Sequence, residues 1–448
     1  MVTKRYALLL GIVLIGLFLR VCQLGTANIY NDEAITIYIS KFSLPQLLPA
    51  ASQLDMNPPL YHFILHYWVA LFGDSEFAVR FLSVVFGVLA IPMTFVVGRQ
   101  LFDDEVGLLG ALILALSQFN IQQSQEVRMY SLMLLLALLS MYFFLQLLRK
   151  SGLAIAAGYV LVTTLLLYTH IYGFFVILAQ DIYLVALLLL LGEKTLRLKQ
   201  WIVLQVIAIG LFALWLPELT SHLSTAERGF WLAVPTLGDL ITTFNQLCGG
   251  MHILFIFLVL SVLALFRYTK TTGSMDWKSP LKALRDYSWN VQVTNITSVT
   301  LLVVLLLTPI VVPFVISHLT TPIYVIKYTI AASVALYLLA ASGIRNINWR
   351  SAKIAVIAVI VILSAASLQG YYSQAATRRG QAQDAFQFVV DNAQSGDVVI
   401  VYPGFTNFTF DYYVKTPNID VKAFPSVQSY SMSWTWNIEE GTKELQSD

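Results

Sequence analysis

Two adjacent carboxylates, Asp32 and Glu33, follow the first apolar segment of the chain at residues 7–24. Lys4 and Arg5 precede that segment, and because flanking cations stay in the cytoplasm, we expect the acidic pair on the outer face of a membrane. Paired carboxylates there suit acid–base chemistry on a substrate delivered from the lipid. The alternative is a solvated loop pair, or a cap on a short helix that begins near Glu33, since short acidic clusters are common in loops.

Two cations, Arg128 and Lys327, enter apolar segments on the same predicted face. Anchoring cations are scarce on that side, so an ionisable residue there is a functional candidate. The two side chains could neutralise a lipid phosphate, the arginine through two parallel hydrogen bonds and the lysine as a point charge. Each could instead be an anchor whose charged end only reaches the membrane surface.

A sugar attached to that phosphate would make the phosphate the leaving group. Stabilising its growing negative charge is then the main electrostatic demand of the reaction. The attacking acceptor hydroxyl must lose a proton, and Asp32 is the carboxylate that we predict as its base. Direct displacement predicts inversion at the anomeric carbon, by the geometry that governs single-displacement glycosidases.

Three further polar features have more than one interpretation. His170, between the fifth and sixth apolar segments, could bind acceptor or phosphate, although a histidine there is commonly a hydrogen-bonded packing residue. Asp181 lies inside the sixth segment, where a carboxylate needs a partner or a polar cavity. The acidic run at residues 103–105 lies on the predicted cytoplasmic side, and we interpret it as a solvated turn.

Composition indicates a polytopic membrane protein. The chain has 448 residues, of which 58% are apolar and 12% are charged, and its mean hydropathy is +0.73. A soluble domain has about twice that charged fraction. The formal net charge of +2 gives no reason to expect nucleic acid as a partner. Cys22 and Cys248 lie in or beside apolar segments, so we predict neither a disulfide framework nor a thiol metal site.

The apolar segments predict about eleven spans, each needing about 20 residues. They cover residues 7–24, 78–98, 106–121, 129–148, 153–169, 172–192, 201–217, 251–267, 299–316, 326–344 and 353–370. In this arrangement 16 of the 27 Lys and Arg residues fall on the cytoplasmic side, and six fall on the outer side before residue 371. That bias supports the orientation, because the positive-inside rule acts on residues near span ends.

The predicted organisation is a transmembrane domain over residues 1–370, with outer loops at 25–77 and 218–250, followed by a small extracytoplasmic α/β appendage over residues 371–448. In the first loop, Leu60–Phe72 has the pattern of an amphipathic helix lying in the membrane interface. The ionisable residues of the second loop are Glu218, His222, Glu227, Arg228 and Asp239. The pattern of the appendage predicts a helix at Gln381–Asn392, a turn at residues 396–397 and a strand at Val398–Tyr402.

Several short motifs occur in a fixed order along the outer ends of these spans. They are Asp32-Glu33, Asn57-Pro-Pro-Leu-Tyr61, Arg80 with Ser83, Ser124-Gln-Glu-Val-Arg-Met-Tyr130, Thr169-His170 and Lys327-Tyr328. This ordered set resembles the GT-C superfamily of polyprenyl-phosphate-sugar glycosyltransferases, and most closely the branch of protein O-mannosyltransferases and bacterial lipid A aminoarabinose transferases. The resemblance covers residues 1 to about 345 and continues weakly into the tail. Lys327 stands where relatives often have arginine.

The resemblance implies an all-α polytopic enzyme with the GT-C fold, set in the cytoplasmic membrane with its active site facing the extracytoplasmic side. It implies a catalytic base at Asp32, with Glu33 helping to position the acceptor. The residues implied around the donor phosphate are Arg128, Lys327, Glu126 and Tyr328, and those implied in substrate binding are Tyr61, His62, Arg80, Gln125 and His170.

The same resemblance implies the partners. They are a polyprenyl-phosphate-linked sugar as donor, a lipid, glycan or protein as acceptor, and the membrane lipids. This branch of the superfamily implies no metal or other cofactor, although the more distant oligosaccharyltransferases need a divalent metal. The sequence shows no convincing cluster of metal ligands.

Two other classes of protein are alternatives to an enzyme. A transporter or flippase for polyprenyl-linked lipids would show internal repeats and binding residues at the membrane midplane, where we find only Asp181. A membrane scaffold without chemistry would not need Asp32, Arg128 and Lys327 to converge. The positions of these three side chains in the folded protein therefore distinguish the classes.

Overall fold

A computed structural model of the chain describes residues 2–150, 152–190, 198–220, 232–270, 289–293, 295–377, 381–394, 396–414 and 420–424. Within these ranges the protein is mostly α-helical, with long apolar helices, which confirms the predicted all-α membrane fold. His222, Glu227 and Arg228 of the predicted second outer loop lie outside the described residues, as does the chain beyond residue 424.

The helices of the described ranges are numbered here in chain order. They are α1 (Val2–Val21), α2 (Asn31–Ser40), α3 (Leu44–Leu54), α4 (Leu60–Phe72), α5 (Glu76–Leu101), α6 (Asp104–Leu116), α7 (Gln118–Ser124), α8 (Tyr130–Arg149), α9 (Leu153–Leu167), α10 (Gly173–Leu190), α11 (Leu198–Phe212), α12 (Leu237–Cys248), α13 (Met251–Leu263), α14 (Ile296–Leu319), α15 (Ile330–Asn346), α16 (Arg350–Thr377), α17 (Gln381–Asn392) and α18 (Asn407–Tyr413). Short 3₁₀ turns cover Ala213–Trp215, Ile326–Thr329 and Gly404–Thr406. Strands β1 (Phe266–Lys270) and β2 (Trp289–Val293) pair antiparallel, and β3 (Val398–Val401) and β4 (Asp420–Ala423) pair in parallel.

Each predicted span falls on a helix or on a helix pair. Among the described residues, six helical segments are long and apolar enough to cross a membrane, or up to eight if two bent pairs each count as one span. The bends are 62° between α6 and α7 and 87° between α12 and α13. Helices α9 and α10 are apolar but shorter. The exact number of crossings therefore stays a prediction.

Local sequence explains both bends. Ser117 ends α6, and its hydroxyl accepts a hydrogen bond from the Asn120 amide at 3.3 Å, so this serine also caps the start of α7. Gly249 follows α12 with φ of 81°, a left-handed conformation that favours glycine at the end of a helix. The first bend therefore lies within the predicted span 106–121, and the second lies immediately before the predicted span 251–267.

The predicted first outer loop, residues 25–77, contains the helices α2, α3 and α4. The helix predicted over Leu60–Phe72 is present as α4. Trp68 of α4 donates its indole N–H to the carbonyl of Ala78 at 2.8 Å, which ties α4 to the first turn of α5. Ser75 caps α5 by accepting a hydrogen bond from the Ala78 amide. The loop is thus a structured layer at one end of the helix bundle.

The acidic run at residues 103–105 is a centre of ion pairs, so the interpretation as a solvated turn was wrong. Asp103 caps α6 by accepting from the Val106 amide at 3.0 Å, and it also accepts from Arg345 Nε at 2.8 Å. The next two carboxylates pair with three more cations: Asp104 with Arg5 and Arg99, and Glu105 with Lys353. Four cations that were predicted on the cytoplasmic side therefore lie together at one end of the bundle.

Arg20, predicted at the outer end of the first span, is completely buried. Its Nε donates to Ser124 Oγ at 3.2 Å, and its terminal nitrogens donate to the carbonyls of Gly16, Leu114 and Ala115 at 3.1–3.3 Å. Leu114 and Ala115 belong to the last turn of α6, where carbonyls have no partner within the helix and where a cation is favoured by the helix dipole. Arg20 therefore stabilises the break between α6 and α7.

The C-terminal part of the chain contains the predicted helix as α17 and the predicted strand as β3. Helix α18 connects β3 to β4, and it packs against α2 in the first outer loop. Phe408 and Phe410 of α18 are buried, and the Phe408 ring lies 5.1 Å from the ring of Tyr38 in α2. The described part of the tail therefore lies at the same end of the protein as Asp32.

Helix α15 lies inside the bundle, with nearly every residue from Ile330 to Ile344 buried. A helix that is apolar on all sides suits an enclosed position. At Gly343 it packs tightly against α13, because a Cβ atom there would overlap the carbonyl oxygen of Leu260. Lys327 lies in the 3₁₀ turn immediately before α15. The packing of α15 therefore fixes where this cation is placed.

We predict that Gly343→Ala lowers the thermal unfolding midpoint of the protein in detergent. The added methyl group must push α13 and α15 apart, and such overpacking costs about 1–3 kcal/mol. Alanine recovers at most about 1 kcal/mol of helix propensity over glycine. Gly210→Ala is the matched control, because no described atom lies within 4 Å of a Cβ at that position. Equal midpoints for the two variants would contradict the close contact.

Candidate active site

Arg80 of α5 and Glu33 of α2 form a buried ion pair that fixes the start of α2. Arg80 Nε donates to Glu33 Oε1 at 2.9 Å and Nη2 donates to Oε2 at 2.8 Å, which makes a two-pronged guanidinium–carboxylate pair. The side chains are 4% and 1% exposed. Arg80 also donates to the backbone carbonyls of Leu24, Ala27 and Asn28 at 2.6–3.2 Å. One arginine thus holds the segment from residue 24 to residue 33.

Both carboxylate oxygens of Glu33 accept further hydrogen bonds from the backbone. Oε1 accepts from the Val127 amide at 2.9 Å, and Oε2 accepts from the Tyr30 amide at 3.3 Å. These bonds link the start of α2 to the turn before α8 and satisfy an amide at the helix N-terminus. We therefore interpret Glu33 as a positioning residue for Asp32, rather than as a group that contacts the acceptor.

Asp32 contacts the second predicted cation, although the two residues lie far apart in the sequence. Asp32 Oδ2 lies 3.1 Å from Lys327 Nζ, and the two side chains are 46% and 27% exposed. Lys327 Nζ also lies 5.3 Å from the centre of the Tyr130 ring, within the range of a cation–π contact. A carboxylate and an ammonium group thus meet at a point that solvent can reach.

Arg128 lies beside this pair and is itself paired with Asp55. Its Nη1 donates to Asp55 Oδ2 at 2.7 Å, to Thr36 Oγ1 at 2.7 Å and to the backbone carbonyl of Asp32 at 3.4 Å. Burial raises the pKa of the Asp55 carboxyl, but Arg128 and His62 outweigh it and hold that pKa below its ordinary value. The Arg128–Asp55 pair is therefore ionised and anchors α2 from a second direction. Sequence reasoning missed Asp55 as a site residue, although it lies just before the Asn-Pro-Pro motif.

Glu126 is a third carboxylate near Lys327. Its Oε2 accepts a hydrogen bond from the Tyr30 hydroxyl at 3.0 Å. Burial raises the pKa of Glu126, as do the nearby charges of Glu33 and Asp32, while Lys327 and the Tyr30 hydrogen bond oppose the rise. The net increase makes the neutral acid more available than it is in solution. A neutral Glu126 would repel a neighbouring phosphate less than a carboxylate would.

A cluster of aromatic rings forms the wall behind Lys327. The Tyr328 ring lies 4.5 Å from the ring of His170, 5.3 Å from that of Tyr172 and 5.9 Å from that of Tyr130. The side chains of Tyr130, His170 and Tyr172 are each at most 1% exposed. Such rings can exclude water from the charged groups in front of them, and electrostatic interactions are stronger in a drier site.

His170 is a neutral hydrogen-bond donor in this wall. Burial, together with the charges of Arg128 and Lys327, lowers the pKa of His170 to about 3, against a smaller opposing effect of Asp55. Its Nδ1 accepts a hydrogen bond from the Tyr172 amide at 3.1 Å, so the single proton of the neutral ring lies on Nε2. Nε2 is buried and has no hydrogen-bond partner among the described residues. The ring therefore holds one buried donor that is unused within the described residues.

The other residues predicted in substrate binding have hydrogen-bond or ionic partners within the surrounding protein. The Tyr61 hydroxyl lies 2.8 Å from Ser83 Oγ, which in turn donates to the Arg128 carbonyl at 3.1 Å. His62 Nε2 lies 3.4 Å from Asp55 Oδ2. Gln125 donates to the carbonyls of Arg20 and Cys22 at 2.9 and 2.8 Å, and it accepts from the Tyr371 hydroxyl at 2.9 Å. Their contact with substrate stays a prediction.

Asp181, the carboxylate predicted deep in a span, has its partners on the neighbouring helix α11. Asp181 Oδ1 accepts from the indole N–H of Trp201 at 2.6 Å and from the Gln205 amide at 3.4 Å. It lies outside the set of residues that surround Lys327. Among the described residues, no three His, Cys, Asp or Glu side chains come close enough to hold a metal ion. Independence of metal stays a prediction.

Comparison with known proteins bears on the fold and on the family that part of the chain resembles. Residues 56–219 match the family model described as dolichyl-phosphate-mannose-protein mannosyltransferase. No curated protein sequence matches the chain. The crystal structure of ArnT from Cupriavidus metallidurans in the apo state is similar, with a TM-score of 0.63 and 11% identity over 99% of this chain and 91% of that chain. The structure of that protein bound to undecaprenyl phosphate gives a TM-score of 0.59 and 13% identity over 100% and 89% of the two chains.

A more distant enzyme has the same arrangement of helices. The apo oligosaccharyltransferase of Archaeoglobus fulgidus gives a TM-score of 0.52 and 14% identity over 92% of this chain and 60% of that chain. The chain thus has the GT-C membrane fold, and its resemblance to the GT-C polyprenyl-phosphate-sugar glycosyltransferases is confirmed. Residues 56–219 thus resemble a mannosyltransferase family, and the fold is that of a multi-pass membrane protein.

We predict that Glu33 and Arg80 stabilise the protein as one unit. Glu33→Gln and Arg80→Gln each leave a buried charge without its partner, which costs about 3–5 kcal/mol. The double variant should lose much less than the sum of the two single losses. The thermal unfolding midpoints of the wild type, the two single variants and the double variant in detergent test this coupling. Arg99→Gln is the control, since Arg99 belongs to an exposed ion pair that contributes at most about 1 kcal/mol. Additive losses would show that the two side chains act independently.

Proposed function

We propose that the protein is an inverting glycosyltransferase that moves a sugar from a polyprenyl-phosphate donor to an acceptor hydroxyl on the extracytoplasmic face of the cytoplasmic membrane. The observation that supports this most directly is the contact of 3.1 Å between Lys327 Nζ and Asp32 Oδ2. In this proposal Lys327 is the cation for the phosphate leaving group and Asp32 is the base for the attacking hydroxyl, and the contact brings the two side chains together. The reaction requires the base at the acceptor hydroxyl and the cation at the leaving phosphate oxygen, on opposite sides of one anomeric carbon, so the two side chains must separate when the donor binds.

Lys327 is the main phosphate-binding cation in this proposal. It is partly exposed, and its only carboxylate contact within 4 Å among the described residues is Asp32. Arg128 attracts a phosphate less strongly because Asp55 neutralises its charge. In this proposal the Arg128 guanidinium therefore contacts the phosphate while it stays paired with Asp55. The Nε2–H of His170 adds a neutral donor. Tyr328 and Glu126 complete the surroundings of the phosphate.

The proposed reaction begins when the donor phosphate competes with Asp32 for Lys327. Asp32 Oδ2 is then released and accepts the proton of the acceptor hydroxyl. The bond from the acceptor oxygen to the anomeric carbon forms as the bond from that carbon to the phosphate oxygen breaks. The phosphate leaves as an anion, which Lys327 stabilises, so no general acid is needed. Attack opposite the leaving group inverts the anomeric carbon.

The proposed donor sugar is a hexose or a pentose, and the acceptor is a lipid, glycan or protein that presents a hydroxyl group. The reaction as written uses no metal, because the ammonium of Lys327 neutralises the leaving phosphate. The ArnT structure bound to undecaprenyl phosphate supports a polyprenyl phosphate as the lipid part of the donor, since the two chains share a fold over most of their length.

A lipid flippase or transporter fits the charges less well. Transporters bind their substrates near the membrane midplane. Here Asp32, Arg128 and Lys327 lie together at the end of the helices, beside the outer-loop helices α2 and α3. Asp181 is the carboxylate predicted deep in a span, and its partners are the neutral groups of Trp201 and Gln205. The position of the charges therefore favours chemistry at one membrane surface.

We predict that Asp32→Asn lowers the turnover number by a factor of about 10²–10⁴, the usual effect of losing a general base. Donor binding should stay equal or become tighter, because no carboxylate then competes with phosphate for Lys327. Lys327→Gln should weaken donor binding and also lower turnover. Purified variants are assayed with a panel of polyprenyl-phosphate sugars, and affinity is measured separately by titration of each sugar.

Two conservative surface variants, Asp391→Asn and Lys41→Gln, serve as controls for these substitutions. Asp391 lies on α17, and Lys41 follows the last residue of α2, where it pairs with Asp74. Neither side chain belongs to the set that surrounds Lys327. Both variants should match the wild type. Near-normal turnover by Asp32→Asn would exclude Asp32 as the base, and unchanged donor affinity in Lys327→Gln would exclude the phosphate site.

We predict that the described tail and Asp32 face the outside of the cell. After replacement of Cys22 and Cys248 by alanine, a cysteine at Asp411 in α18 should react with a membrane-impermeant maleimide in intact cells or spheroplasts. A cysteine at Ser351, at the start of α16 and close to Lys353, should react only after the membrane is broken. Both positions are exposed to solvent. The reverse pattern of labelling would invert the proposed orientation.

A further inference from the structure

The segment that leads into α2 is held by a second element, the short helix α18 near the C-terminus. Tyr413 Oη accepts a hydrogen bond from the Ile29 amide at 2.7 Å. Thr409 Oγ1 donates to Asn31 Oδ1 at 2.8 Å. Ile29 and Asn31 flank Tyr30, and Asn31 directly precedes Asp32. Two side chains from α18 therefore contact the chain just before the candidate base.

The contacts of α18 involve polar groups of residues 29–31 to which Arg80 is not hydrogen-bonded. Arg80 fixes the carbonyls of residues 24, 27 and 28 and the carboxylate of Glu33. The Ile29 amide and the Asn31 side chain lie between those points, and α18 is the element that binds them. The Tyr413 hydroxyl also donates its proton to Glu76 at the start of α5. Tyr413 therefore joins the entry of α2 to the helix that contains Arg80.

Helix α18 has too few residues to be stable by itself, because isolated helices of this length are marginal in water. Its position depends on packing against both neighbours. Phe408 contacts the Tyr38 ring of α2 at 5.1 Å, and Phe410 contacts the Phe386 ring of α17 at 5.1 Å. The placement of α18 and the placement of residues 29–31 are therefore coupled through named contacts.

We propose that Tyr413 and Thr409 are positioning residues for Asp32, so that the C-terminal segment is part of the catalytic architecture. This inference rests on the proposed function, in which Asp32 is the base. A base must lie within hydrogen-bond reach of the acceptor hydroxyl, and a shift of about 1 Å can reduce a rate about 10²-fold. Loosening residues 29–31 should thus lower turnover while the phosphate site around Lys327 stays intact.

The test uses Tyr413→Phe and Thr409→Val in the full-length protein. Each should lower kcat by about 10-fold, with the donor KM changed by less than a factor of about two. Thr409→Ser keeps the hydroxyl and should restore most of the rate. Tyr412→Phe is the matched control, because the Tyr412 hydroxyl donates to the Asp74 carbonyl and not to residues 29–31.

Hydrogen exchange gives a second readout that needs no activity. The Ile29 amide should exchange faster in Tyr413→Phe than in wild type and in Tyr412→Phe. Unchanged exchange and unchanged kcat in Tyr413→Phe would overturn the proposal, as would an equal loss of kcat in Tyr412→Phe. If the wild type transfers no sugar from any polyprenyl phosphate tested, the proposed function fails. The exchange measurement then decides alone whether α18 anchors this segment.

Discussion

The arrangement of the site depends on the buried pair between Arg80 and Glu33. A charge removed from water is costly unless it is paired and hydrogen-bonded, and here the two side chains satisfy each other and several backbone groups of residues 24–33. Neighbouring residues on a helix point in different directions. Because Glu33 is fixed in the interior, Asp32 is turned towards solvent and Lys327. The two neighbouring carboxylates therefore differ, since Glu33 is buried and positions the chain whereas Asp32 is exposed and available for chemistry.

The ion pairs at the two ends of the bundle differ in their number and in their exposure to solvent. At one end, Asp103, Asp104 and Glu105 pair with four cations, one from each of the helices α1, α5, α15 and α16, which ties these helices to the start of α6. At the other end, the Arg128–Asp55 pair is buried, while the Asp32–Lys327 pair is partly exposed. A pair that a substrate can enter and separate is suited to chemistry, whereas a buried pair is suited to positioning.

Particular residues show where prediction from sequence worked and where it did not. Asp32, Arg128 and Lys327 were predicted because an ionisable group beside an apolar span is unusual enough to be informative. Asp55 was missed because a carboxylate in a polar loop is common. The place of Arg20 in the first span predicts a cation on the outer side, but not its burial, which follows from the carbonyls at the end of α6. The acidic run was misjudged because Arg345 and Lys353 lie more than 240 residues further along the chain.

The sequence by itself determined that this is a helical membrane protein, where most of its long apolar helices lie, and which charged residues flank them. Apolar length and helical periodicity are local properties, so they can be recognised along one segment at a time. Only the tertiary structure decided which cation meets which carboxylate, which carboxylate is buried, and that α18 contacts the entry to α2. Those outcomes depend on distances of about 3 Å between side chains from remote segments, and they are set by how the helices pack and bend rather than by the order of residues within any one helix.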